Sequence, residues 1–283
     1  MTVQATDEGL YSGGQLLRYA PFPSENIKPR PVDIWLPPGY DDGDDTRYPV
    51  IYMHDGQNLF EPGLAFAGVD WGIDEAIVRL MHAGKTGGAI VVAPWNSARR
   101  RSEYMPQKPL ATPALREQAR HFAAENGALP YSDLYLRFLV EELKPFVDAT
   151  YRTRPGRNTT SVMGSSMGGL ISLYALCEYP RVFGAAACVS THWPIGEDPL
   201  VDWFENALPA PGTHRIYFDY GTETLDAHYE PYQARMDGHV EAAGYRRGVD
   251  WETLKFEGAE HSEVSWRERA EIPLAFLLGN ERK

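Results

Sequence analysis

Ser166 stands at the centre of Gly164-Ser165-Ser166-Met167-Gly168, a G-x-S-x-G pentapeptide in which a hydroxyl is flanked by small residues. A serine in that setting becomes a nucleophile when a strand, a sharp turn and a helix push its Oγ out at the C-terminal edge of a sheet. The flanking sequence suits such a turn. Asn158-Thr-Thr-Ser-Val-Met163 is short and rich in β-branched residues, and Gly169-Leu-Ile-Ser-Leu-Tyr-Ala-Leu176 reads as a helix that stops before Pro180. A bulky Cβ at Gly164 or Gly168 would collide with neighbouring backbone there. A serine hydroxyl is a weak nucleophile at neutral pH. Ser166 therefore needs a general base and a group that orients it.

With the nucleophile on such a turn, chain order is serine, then a carboxylate, then histidine. Five histidines follow Ser166: His192, His214, His228, His239 and His261. His261 lies in Glu257-Gly-Ala-Glu-His261, a loop between the last expected strand and the terminal helix, where a base can reach over the turn. His192 shares that rim but is out of order for the base. His214 precedes a strand and so belongs to the opposite edge, while His228 and His239 read as solvated. The base is expected at His261. The acid is expected just past the strand Ile216–Tyr220, in Gly221-Thr-Glu-Thr-Leu-Asp226. Asp219 is still within the strand and reads as a structural acceptor. Asp226 is favoured because a short carboxylate at a helix start orients an imidazole rigidly, although it could instead cap that helix. Glu223 is the alternative.

An oxyanion on the substrate needs two donors where its charge develops. One is the N–H of Met167, after the nucleophile. The second is expected at Gln57, in His54-Asp55-Gly56-Gln57-Asn58 after a buried strand, with Gly56 allowing the turn. Side chains for substrate binding are sought on loops at the same strand ends. These are Trp95 and Asn96, followed by Arg99, Arg100, Arg101 and Tyr104, and then His192 with Trp193. Arginines at a mouth could hold a carboxylate or phosphate, though a solvated basic loop is the plainer reading.

These positions demand a particular scaffold. Strand-like stretches at residues 31–36, 48–53, 88–93, 184–189, 215–220 and 251–256 alternate with helical ones at 72–81, 136–147 and 272–278. Several strands are nearly continuous apolar runs, as expected when both faces of a parallel sheet are covered. The expected fold is an α/β-hydrolase fold, with a mostly parallel central sheet and helices on both faces. All 283 residues are read as one domain. Periodicity fades between about 99 and 130, where Pro106, Pro109 and Pro113 fall, and an insertion or lid over the strand ends is expected there.

Composition narrows the partners. A hydrophobic fraction of 43% supports a substantial core, and a formal net charge of -12 lacks the basic footprint for nucleic acid or anionic membranes. Cys177 and Cys188 are two thiols in apolar stretches with no metal-ligand spacing, so they are expected as core residues. No metal or organic cofactor is implied. The first residues lack the basic-then-apolar pattern of a secretory signal, and a cytoplasmic location is expected. The sequence does not set the oligomeric state.

Three stretches together carry a resemblance: Tyr52-Met-His-Asp-Gly-Gln-Asn-Leu-Phe60, Gly164-Ser-Ser-Met-Gly-Gly169, and Gly258-Ala-Glu-His261 followed by Trp266. From about residue 30 onward the chain resembles the esterase group of α/β-hydrolases that includes esterase D, enterochelin-type siderophore esterases, feruloyl esterases and the antigen 85 mycolyltransferases. The resemblance implies an oxyanion donor after the Asp-Gly pair, at Gln57, and a base at His261. Relatives place the acid at slightly different offsets, and neither Glu223 nor Asp226 is a clean match. Serine carboxylesterase activity on a small-molecule ester is the expected function. An acyltransferase, a binding module that has lost catalysis and a peptidase are the alternatives.

Overall fold

The computed structural model describes residues 4–41 and 45–279. Nine strands make one sheet: β1 (Asp7–Tyr11), β2 (Gly14–Phe22), β3 (Arg30–Leu36), β4 (Val50–Met53), β5 (Ile90–Pro94), β6 (Thr160–Ser165), β7 (Ala185–Val189), β8 (Arg215–Gly221) and β9 (Trp251–Phe256). Their spatial order is β1-β2-β3-β5-β4-β6-β7-β8-β9. The first three are joined antiparallel, and β3 meets β5 antiparallel. From β5 to β9 every pairing is parallel. Parallel neighbours need crossovers, and helices supply them on both faces.

The core accordingly divides in two. One apolar layer packs Tyr135, Leu139, Leu170, Leu173, Phe204 and Met236 under one face, and the other sets Ile73, Ile77, Trp266, Leu274 and Leu277 against the opposite face. The helix Met167–Glu178 has ten buried residues, from Met167 through Leu176, as a helix covered all round must. The α/β-hydrolase expectation agrees with this architecture. Two regions differ most from the expectation. The hairpin β1–β2 turns at Ser12 and Gly13, both with positive φ (50° and 78°). The segment 99–130 is largely helical, with Arg100–Tyr104, Gln107–Leu110 and Arg116–Asn126 broken by a 3-10 turn at Pro113–Leu115. Prolines start or interrupt these short pieces, so no long apolar period survives to mark them. Cys188 is buried and Cys177 half-buried, and both are free thiols. Among the described residues, no helix is long and apolar enough to cross a membrane.

Candidate active site

Ser166 occupies the turn between β6 and the helix Met167–Glu178, with φ 57° and ψ -120°. A non-glycine residue there is strained by about 1–3 kcal/mol and must be held by its surroundings. Ser166 N–H donates to Val189 O at 2.9 Å, and its carbonyl accepts from His192 N–H at 3.2 Å and Leu170 N–H at 3.2 Å. Gly164 is required by close approach: a Cβ there would lie 2.8 Å from the backbone carbon of Gly168. The result is a half-buried serine at the C-terminal end of a central parallel strand.

Across β7 and β8 the chain presents a carboxylate and an imidazole. His261 Nδ1 lies 2.6 Å from Asp226 Oδ1. The second carboxylate oxygen accepts from Ser190 Oγ at 2.6 Å and from Gly221 N–H at 2.7 Å. Burial alone would raise the Asp226 pKa. The hydrogen bonds from His261, Ser190 and Gly221 outweigh it and hold the carboxyl below its usual range. An ionised carboxylate can only accept, so Nδ1 of His261 carries the proton and Nε2 is left as the basic nitrogen.

Backbone contacts fix the two loops to each other. Thr222 N–H and Glu223 N–H both donate to Ala259 O at 3.0 Å, and His261 N–H donates to Thr224 Oγ1 at 2.9 Å. The 3-10 turn Thr224–His228 buries Asp226 and leaves Glu223 exposed at its start. Of the two acid candidates, the structure brings Asp226 to the imidazole.

A further layer braces Asp226 and carries two residues that the sequence did not point to, Ser190 and Arg269, beside Trp266. Ser190 has a left-handed backbone (φ 42°) and no exposed surface. Its Oγ accepts from Trp266 Nε1 at 3.0 Å and from Arg269 at 2.9 Å. Both of those groups can only donate, so the Ser190 hydroxyl proton is directed at Asp226. Arg269 in turn pairs with buried Asp219 at 3.0 Å, and Asp219 also accepts from Tyr217 OH at 2.9 Å. Asp219 is thus the structural acceptor expected of a residue within the strand.

On the other side of Ser166 lies the loop after β4. His54 N–H donates to Met163 O at 3.0 Å, which ties the loop to the elbow strand. The open side of Gly168 faces the same loop, where a Cβ would meet Asp55 Oδ2 at 3.3 Å and His54 Cβ at 3.5 Å. The left-handed residue is Asp55 (φ 59°), not Gly56. Gly56 serves close approach instead, because a Cβ on it would lie 2.2 Å from Ala93 O. Gln57 is in the 3-10 turn Gly56–Asn58 and Met167 opens its helix. Both N–H groups therefore fall in first turns, where helix geometry offers no internal acceptor.

One arginine of the arginine-rich stretch is committed to that loop. Arg100 grips Asp55 through two hydrogen bonds of 2.6 and 2.7 Å, and Asn96 Nδ2 adds one of 2.6 Å. Burial again pushes the Asp55 carboxyl up, but the Arg100 charge and these hydrogen bonds bring it below its ordinary range. Asn96 N–H also donates to Gln57 Oε1 at 3.1 Å. The helix carrying Arg100 is anchored to β3 by a buried pair, Arg30 with Glu103, at 2.6 Å. Tyr104 OH accepts the Asp55 N–H at 3.2 Å. Behind them His54 is fully enclosed, with Nδ1 2.8 Å from Tyr135 OH, and burial lowers its pKa to about 3.

The remaining expected substrate residues divide. His192 is half-buried beside Ser166, its Nδ1 2.6 Å from Tyr229 OH and its ring 6.4 Å from that of His261. Burial, then the charges of His261, Arg101 and Arg100, lower its pKa to about 4. Trp193 is a correction. Its side chain is 0% exposed, donates to Gln233 at 3.0 Å and packs on Phe204 and Phe218, so it belongs to the core and offers no face to a substrate. Asn96 is occupied by Asp55 and Gln57. Trp95 donates to Asp33 at 2.9 Å beneath the Arg18 guanidinium, and Arg99 is exposed and reaches Asn126 O at 3.3 Å. A cavity of about 550 Å³ opens between the helix Arg116–Asn126 and the turn after His192, walled by Phe122, Pro194 and Ile195 together with Arg101, Glu117, Glu125 and Glu197.

The family described as "Putative esterase" matches residues 25–270. The chain belongs to this esterase family. Carboxylic ester hydrolysis is its chemistry, and the esterase acts on small-molecule esters. Among curated proteins, it is 26% identical to "Uncharacterized protein YbbA" of Bacillus subtilis over 69% of this chain and 68% of that one. It is 31% identical to the ferri-bacillibactin esterase BesA of the same organism over 52% of this chain, and that match spans 49% of BesA. Its fold is similar to that of an IroE-like serine hydrolase from Shewanella oneidensis, with a TM-score of 0.68 and 18% identity over 93% of this chain and 80% of the other. At that identity the likeness speaks for the fold alone.

Proposed function

We propose that the esterase is a serine carboxylesterase working through an acyl-enzyme on Ser166. The observation that carries this reading is the 2.6 Å contact between His261 Nδ1 and Asp226 on loops bound to each other at the strand ends that also present Ser166. His261 Nε2 takes the Ser166 proton as Oγ attacks the ester carbonyl. The tetrahedral oxyanion is received by the N–H groups of Gln57 and Met167. His261 then returns the proton to the leaving alcohol, and water, activated by the same nitrogen, releases the acid.

His192, held by Tyr229 and kept neutral, lines the approach to Ser166, with Arg99 at the outer rim. The cavity beside the helix Arg116–Asn126 takes one arm of the ester, against a wall that mixes Phe122 and Ile195 with charged side chains. In this reading the chain is one catalytic domain, with 99–130 as an insertion that both walls the cavity and clamps the oxyanion loop.

Hydrolysis of p-nitrophenyl esters of increasing acyl length tests the proposal. The intact protein should turn over at least the short esters, and Ser166→Ala should lower kcat by about 10⁴-fold or more. Undiminished turnover by Ser166→Ala would overturn it.

A further inference from the structure

At the opposite edge of the sheet, around the starts of β6, β7, β8 and β9, lies a cavity of about 600 Å³. Its wall includes Arg157, Arg215 and Arg246, together with Ser161, Thr213 and a single acidic side chain, Asp250. In a chain of net charge -12 several half-buried and buried guanidiniums elsewhere hold carboxylates: Arg18 on Asp33, Arg30 on Glu103, Arg100 on Asp55, Arg269 on Asp219. Among the described residues, Arg157, Arg215 and Arg246 form no such pair. Arg157 Nε meets only the Asn158 amide oxygen, at 3.3 Å. Arg215 donates to the carbonyls of Phe276 and Leu277 at 2.5 and 2.7 Å, the last turn of the final helix. Asp250 is turned to backbone, accepting from Arg246 N–H at 2.5 Å.

Three permanent cations against one carboxylate on a concave wall leave a net positive charge; Arg157 and Arg215 are half-buried, which screens them less than open solvent would, and Arg246 is exposed at the rim. Burial lowers the Arg215 pKa with no acidic group to offset it, which is the same imbalance seen from the cation. Guanidinium forks match tetrahedral oxyanions in geometry, and the hydroxyls of Ser161 and Thr213 on the wall can add neutral donors. We infer that this cavity is a second ligand site that binds a small, multiply charged oxyanion of the phosphate class. It is separated from Ser166 by the length of β6, six residues or about 20 Å, so it takes no part in the ester chemistry. The inference stands independently of the acyl-enzyme reading.

Isothermal titration calorimetry with inorganic pyrophosphate, at an ionic strength matched with sodium chloride, tests it. The full-length protein should show one saturable site. Arg157→Gln combined with Arg246→Gln should weaken it at least about tenfold, since each replaces a charge-assisted contact. Arg215 is left in place because it caps a helix. Ser166→Ala should bind pyrophosphate as the parent does, which separates this site from the catalytic one. The double variant should keep the parent circular dichroism and its turnover of p-nitrophenyl acetate, which excludes a folding defect. No saturable heat in the parent would overturn the inference. So would undiminished binding by the folded double variant, or competition by an ester substrate.

Discussion

Two buried aspartates flank Ser166, and both are held ionised by their surroundings, yet their partners give them different work. Asp226 meets His261, whose ring can gain and lose a proton, and its other oxygen is fixed by Ser190 and Gly221. Asp55 meets Arg100, a permanent cation, in a two-pronged contact reinforced by Asn96. In the proposed mechanism the first arrangement moves a proton, because the charge beside Asp226 would change during turnover. The second is suited to standing still, because nothing in it titrates near neutrality. On that proposal, identical side chains serve proton transfer on one side of Ser166 and rigid placement of backbone donors on the other.

Breaking the mobile side should cost most. Asp226→Asn keeps the shape but loses the charge that fixes the His261 tautomer, so kcat on p-nitrophenyl acetate should fall by about 10³–10⁴-fold. Glu223→Gln, on the exposed neighbour, should stay within about twofold of the parent. The reverse ranking would move the acid to Glu223.

Breaking the static side should cost less in rate. Arg100→Met leaves Asp55 charged and without its cation, and the loop bearing Gln57 loses its clamp. A partial loss of one oxyanion donor predicts a fall in kcat of about 10–100-fold with KM little changed, and a lower Tm because a mostly buried charge is stranded. An unchanged kcat would detach the Arg100 clamp from catalysis.

The smallest effect sharpens the comparison through acid stability. Each side also keeps a neutral histidine: His54 behind the oxyanion loop, with its pKa lowered to about 3, and His192 beside the base, lowered to about 4. The unfolded chain binds protons at these positions from about pH 6.5 downward while the folded one does not. Stability from this source is therefore complete above about pH 6.5 and falls with pH, until pH 4 for His192 and pH 3 for His54. Between pH 7 and pH 5 the loss should be about 2 kcal/mol for each histidine. Urea unfolding at the two pH values measures it, and His192→Gln should remove roughly half of the slope. Equal stability at pH 7 and pH 5 would mean that both rings are protonated in the fold.

The contrast also separates what could be read along the chain from what could not. Ser166 announces itself because a nucleophile turn is local: five residues, a strand before and a helix after. His261 follows from chain order and from its place between the last strand and the last helix. Choosing between Asp226 and Glu223 needed the phase of a single 3-10 turn, which composition does not encode. Asp55 stood in the expected oxyanion loop with no role of its own, because its partner Arg100 lies 45 residues away on a helix that prolines conceal. Ser190, Trp266 and Arg269 come together only through tertiary packing. Trp193 follows a strand as a rim residue would, but its ring turns inward to Gln233. The β1–β2 hairpin did leave a signal, the Ser12-Gly13 pair between two strand-length segments.

The most direct test of the account is labelling with a fluorophosphonate, followed by intact-mass measurement and peptide mapping. The account predicts one adduct per chain, located on Ser166, formed rapidly by the parent and far more slowly by Asp226→Asn. An adduct on another residue, or none in a folded parent that hydrolyses esters, would contradict it.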